Sequence, residues 1–146
     1  MAITSAICNS FKQEILEAEH NFTASTGNTF KIALYTSSAT LSASTTAYSS
    51  SNEITNSSGT AYTAGGEALT SVTPTLDSST AVCDFSDVSW TSASFTANGC
   101  LIYNDSHSTD AAVCAVAFGG DKTVSSGTFT VQFPAAAATT AIVRIA

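Results

Sequence analysis

Positive charge is nearly missing from this sequence. Lys and Arg number 4 in 146 residues against 11 Asp and Glu, a formal net charge of −7. Neutralising phosphates takes clustered Lys and Arg, so nucleic acid is excluded as a partner. Charge of either sign is scarce, at 10% of the chain, which leaves too little Glu, Lys and Arg to coat a helical bundle. Long apolar runs are absent as well. No stretch approaches the roughly 18 apolar residues of a membrane-spanning helix, so no membrane partner is expected. Polar residues interrupt every apolar pair at the N-terminus, and the first cation, Lys12, follows the apolar positions. A secretory signal has the opposite order. The expectation is a chain made in a cytosol and kept there, or released by lysis.

Hydroxyl side chains fill the gap: Ser and Thr make up roughly a third of the residues. Thr packs well on a pleated surface and Ser bonds local backbone, so this composition suits strands and turns. The length fits one domain, and apolar residues and aromatics continue to the end of the chain, unlike a disordered sequence.

One segment reads as a helix, from about Thr4 to His20, because Ile7, Phe11, Ile15 and Ala18 recur at spacings of four and three. Thr4 or Ser5 is placed to cap its start, and His20 at its end is placed to meet the helix dipole. From about residue 28 the period becomes two. Thr29–Tyr35 alternates, with Phe30, Ile32 and Leu34 on one face. The Ser/Thr tract from Thr36 to Gly66 has weak periodicity and predicts irregular chain over the surface, with disorder as the alternative. Gly65-Gly66 predicts a turn, and Ala68–Pro74 a resumed strand. Ala81–Phe85 with Val88–Trp90 forms one further strand region. Ser94–Ala97 and Cys100–Tyr103 flank Asn98-Gly99, which fits either a hairpin turn or a bulge inside one long strand. Ala112–Phe118 is broken by Gly119-Gly120, Thr128–Phe133 alternates, and Thr140–Ile145 is the last strand. The fold class is therefore mainly β: an antiparallel, jelly-roll-like β-sandwich over about residues 28–146 with one N-terminal α-helix.

The search for chemistry returns no catalytic, metal-binding or cofactor-binding residue. Cys8, Cys83, Cys100 and Cys114 form no C-x-x-C pair, so zinc is not indicated. They read as small buried hydrophobes, with a Cys100–Cys114 bridge left open. Ser106-His107-Ser108-Thr109-Asp110 holds the residue types of a hydrolase triad, but triads assemble from separated segments and no G-x-S-x-G elbow is present. Asp77, Asp84, Asp87, Asp105, Asp110 and Asp121, with Glu53 and Glu67, lack calcium-loop spacing and read as turn caps. Neither glycine pair fits a phosphate loop. Asn21-Phe22-Thr23, Asn56-Ser57-Ser58 and Asn104-Asp105-Ser106 match the glycosylation pattern without a secretory signal to use it. Tyr35, Tyr48, Tyr62, Tyr103 and Trp90 offer either core packing or a sugar-binding platform.

Several segments together carry a likeness. They are Ile7-Cys8-Asn9-Ser10-Phe11-Lys12-Gln13-Glu14, His20-Asn21-Phe22, Thr29-Phe30-Lys31-Ile32-Ala33-Leu34-Tyr35-Thr36 and Tyr62-Thr63-Ala64-Gly65-Gly66. Asp84-Phe85-Ser86-Asp87-Val88-Ser89-Trp90-Thr91 and Ala141-Ile142-Val143-Arg144-Ile145 complete them. Across nearly its whole length the chain resembles a group of small virion structural proteins of tailed bacteriophages. The resemblance implies a non-enzymatic β-rich virion component, foremost a capsid decoration (cement) protein on the outer surface of the major capsid protein shell. It would be made in the host bacterial cytoplasm, need no cofactor, and self-associate, with a trimer as one form. The competing expectations are a tail or fibre component that binds receptor glycans through exposed Tyr and Trp, and a small β-sandwich hydrolase. The Thr36–Gly66 tract is the expected contact with the shell or with neighbouring copies.

Overall fold

A computed structural model describes residues 2–55 and 59–146; the Asn56-Ser57-Ser58 sequon lies outside them. Strands β1 (Ala6–Ile7), β2 (Phe30–Tyr35), β3 (Glu67–Ala68), β6 (Val88–Asn104) and β7 (Ala111–Val131) form one sheet in the order β1-β7-β6-β2-β3. Strands β4 (Ser71–Asp77), β5 (Thr80–Phe85) and β8 (Val143–Ile145) form a second, in the order β4-β5-β8. Every strand pairing in both sheets is antiparallel. The protein is thus mainly β, two antiparallel sheets consistent with a sandwich, with one short helix, α1 (Asn9–Leu16).

That helix is shorter than the expected Thr4–His20, and both ends have a cause. Ala6 and Ile7 are drawn into the sheet edge opposite Ala115 and Cys114, and the Cys8 N–H donates to the Val113 carbonyl at 2.9 Å. The start therefore belongs to a strand, and neither Thr4 nor Ser5 caps the helix; the Ser5 hydroxyl instead accepts the Ala117 N–H. At the other end Ala18 turns left-handed, with φ of 62°. The Ala18 N–H then donates to the Ile15 carbonyl and the Glu19 N–H to that of Glu14, the paired closing bonds of a Schellman stop. Phe11 is the buried anchor of the remaining two turns.

Strand β2, the end of β6 from Gly99 to Asn104 and the start of β7 from Ala111 to Ala115 are buried on both faces, which explains why these stretches are largely apolar. On one face Phe30, Ile32 and Leu34 of β2 lie beside Asn104, Ile102 and Cys100 of β6. Phe30 stacks on Phe22 at 4.2 Å, and Phe85 of the smaller sheet meets both rings. On the other face Tyr103 of β6 stacks on Tyr48, at 4.7 Å, so the Ser/Thr tract covers that side.

Strands β6 and β7 form a single long ribbon of 17 and 21 residues. Asn98-Gly99 is not a hairpin turn but part of an irregularity within it: register runs Ala97 to Lys122, then Gly99 to Ala117. Asn98 therefore faces Phe118, Gly119, Gly120 and Asp121, and its amide donates to the Asp121 carboxylate at 2.8 Å. Gly119 and Gly120, with φ of 75° and 132°, do not end the strand as their sequence suggests; they bulge it. Two other segments divide differently from their sequence reading. Ala81–Phe85 and Val88–Trp90 belong to different sheets, and Ala68–Pro74 splits between β3 and β4.

Candidate functional site

His20 does not end the helix. It lies four residues beyond Leu16, buried, with Nε2 2.8 Å from a Glu14 oxygen and Nδ1 3.0 Å from the Asn104 amide nitrogen. Asn104 Oδ1 accepts the Ser106 N–H, so its NH₂ faces His20 Nδ1, the Glu19 carbonyl and Asn28 Oδ1, and Nδ1 can only accept from it. His107 stacks 6.2 Å away and its ring contacts Thr109 and Glu19. Ser106, by contrast, accepts the Thr29 N–H, and Asp110 meets His107 only through backbone. Neither Ser106 nor Asp110 therefore reaches the imidazole through its side chain; the hydroxyl beside Nδ1 is that of Thr109, at 3.0 Å.

Several carboxylates are likewise committed to structure. Asp77 accepts the Ala138 N–H, Asp84 the Phe85 N–H and Asp87 the Phe133 N–H, while Asp105 pairs with Lys31 at 3.2 Å. Among the described residues no three His, Cys, Asp or Glu side chains gather to hold a metal ion. No helix of the described residues is long and apolar enough to cross a membrane. All four cysteines are free thiols. Burial pushes Cys8 and Cys83 up to about 11 and Cys100 up to about 12; Cys114 rises too, through burial and the nearby Cys100 and Cys8. Thiols held protonated in this way are poor nucleophiles.

The aromatic platform is not at the surface. Tyr35, Tyr62, Tyr103 and Trp90 are each at most 2% exposed and Tyr48 is half-buried. The four tyrosines instead tie down the Ser/Thr tract, Tyr48 and Tyr62 through Glu53 and Tyr35 and Tyr103 through backbone carbonyls. One Glu53 oxygen accepts from the Tyr62 hydroxyl at 2.6 Å and the Gly65 N–H at 2.8 Å; the other accepts from Tyr48 at 2.7 Å. Tyr62 also receives the Leu34 N–H, Tyr103 donates to the Gly65 carbonyl, and Tyr35 to that of Ser49. Burial, and hydrogen bonding to Glu53 in the case of Tyr48 and Tyr62, raises the phenols well above their ordinary range. The sequence grouped Glu53 with the turn caps, whereas it is buried and gathers three donors; a signal existed, since it is the sole charged residue between Thr36 and Gly66.

Two concavities follow from this arrangement. The first is a pit of about 320 Å³ in the tract itself, walled by Ser38, Thr40, Thr45, Ser49, Ser51 and Asn52 around Leu41. Ser38, Thr40, Ser49, Ser51 and Asn52 are exposed, and because Glu53 is buried the described tract presents no charged group to solvent. The second is an apolar cleft of about 560 Å³ between the two halves of the ribbon and the chain leading to β8. Cys100 and Ile102 of β6, Phe118 and Phe129 of β7, and Phe133 and Ile142 line it, with Lys122 as its one cation. No protein-family model, curated protein or solved structure matches the chain.

Proposed function

We propose that this chain is a non-enzymatic virion structural protein of a tailed bacteriophage, a capsid decoration protein that docks on the major capsid protein shell through the Thr36–Gly66 tract. One observation carries this reading. A long, irregular surface segment is tied down by a buried Glu53 and four tyrosines, yet its described residues turn only neutral, hydroxyl-rich side chains and a shallow pit outward. Ordering such a segment in advance lowers the entropy cost of binding. The lack of exposed charge makes attachment insensitive to salt, and many weak copies on a lattice hold collectively. The buried aromatics favour this reading over a glycan-binding fibre, whose recognition would need Tyr and Trp at the surface.

Substitutions at the pit test it without touching the anchors. Thr40→Arg with Ser51→Arg, both at exposed positions, is expected to leave the fold intact and abolish co-sedimentation with shells built from the phage's major capsid protein. The wild type should bind equally at low and high salt. Undiminished binding by the variant, or absence of the chain from purified particles, overturns the assignment.

A further inference from the structure

The smaller sheet carries a projection that matches the apolar cleft. Leu76 of β4 is paired with Ala81 of β5, and Ala81 with Ile145 of β8, so the three side chains form one row across the sheet. Leu76 is 72% exposed and Ile145 55%, although Ala81 lies on the same side of β5 as Phe85, which packs in the core. The core-facing side of this sheet thus runs on past the body of the molecule. No residue of β4 is buried, and the strand ends in exposed Asp77 at the tip of a tight turn to Thr80. This is an apolar ridge with an acid at its end.

The cleft is its counterpart in shape and charge. It is concave and walled by Phe118, Phe129, Phe133 and Ile142. Three of the chain's four cations are engaged: Lys12 with Asn9, Lys31 with Asp105, Arg144 with the Ala138 carbonyl. The ammonium of Lys122, exposed on the cleft wall, has no hydrogen bond or ion pair among the described residues.

We infer that the Leu76/Ala81/Ile145 ridge of one copy docks in the Phe118/Phe129/Phe133 cleft of a second copy, with Lys122 facing the acidic tip at Asp77. The contact is head-to-tail: each chain offers one ridge and one cleft, so association continues until a ring closes or the chain of copies ends. It uses a different face from the Thr36–Gly66 tract, so it stands or falls apart from shell attachment.

Sedimentation of the full chain over a wide concentration range tests this. The wild type should show mass rising above the monomer. Leu76→Asp with Ile145→Asp removes the ridge, and Lys122→Glu with Gln132→Glu spoils the cleft; all four positions are exposed, so unchanged thermal midpoints are expected. Each variant alone should be monomeric. Mixed in equal amounts, they retain one intact ridge and one intact cleft, and should form a 1:1 dimer that grows no further. A wild type that stays monomeric at every concentration, or a mixture that does not pair, overturns the inference. So does a variant that associates like the wild type.

Discussion

Glu53 shows how one side chain gathers a segment otherwise held by scattered backbone bonds and a few buried side chains such as Ala39, Leu41 and Ile54. The tract it anchors offers little apolar surface, and small polar side chains do not bury enough area to offset ordering so long a stretch. A carboxylate accepting from two phenols and one backbone N–H supplies directional bonds instead, each charge-assisted and shielded from water. Removing it leaves three donors stranded in the interior, at about 1–3 kcal/mol for each donor that stays unpaired. Glu53→Ala is therefore expected to cost about 4 kcal/mol, the upper range for breaking a buried polar network. Glu53→Gln keeps one acceptor oxygen but points an NH₂ at a donor, and should lose about half as much. Urea unfolding of both variants checks the order; a cost below about 1 kcal/mol for Glu53→Ala would show that the tract orders itself by other means.

At the scale of elements, the ribbon of β6 and β7 depends on two kinds of glycine. Gly99 is there for room: a Cβ on it would fall 2.6 Å from the Val116 carbonyl oxygen and 2.8 Å from Ile3 Cγ2. Gly119 is there for its backbone, with φ of 75° and open space where a Cβ would point. Gly99→Ala should accordingly cost about 3 kcal/mol, the upper end for forcing an atom into packed surroundings. Gly119→Ala should cost about 1 kcal/mol, and Gly119→Asn less, since Asn tolerates the left-handed region. Equal losses from the two Ala variants in urea unfolding would contradict this division. The same ribbon marks what was legible in the sequence. Alternation found β2 and the strand cores, because one face of each is strictly apolar. It could not join Ser94–Ala97 to Cys100–Tyr103, or Ala112–Phe118 to Thr128–Phe133, because a bulge and a turn use the same Asn and Gly residues. The helix was overextended because Ile7 and Ala18 fit its period, while pairing with β7 and the left-handed turn at Ala18 are set by tertiary contacts and backbone geometry. The Thr36–Gly66 tract was read as irregular surface chain, as its described residues are, but its anchor was not found, since nothing local indicates that Glu53 points inward.

For the molecule as a whole, buried thiols and phenols build in a sensitivity to pH on the alkaline side. The relevant groups are the four thiols and four phenols, whose folded values all lie above their ordinary ones near 9 and 10. A group that holds its proton more tightly when folded stabilises the fold fully below its unfolded value, and that contribution is lost as pH climbs towards the folded value. Unfolded thiols begin to release protons near pH 9, while Cys8 and Cys83 hold theirs to about 11 and Cys100 to about 12. Above pH 9 the unfolded chain therefore binds fewer protons than the folded one, and stability falls with rising pH. The phenols join from about pH 10, for the same reason and with the same sign. The urea midpoint, measured with reductant present, should show no contribution from these groups through neutral pH and then drop steeply from about pH 9. Tyrosinate absorbance should appear together with loss of β-structure rather than ahead of it. A midpoint unchanged up to about pH 11, or phenols that ionise while the sheets remain intact, would mean that the tyrosines around Glu53 are open to water and that the tract they hold is not rigid.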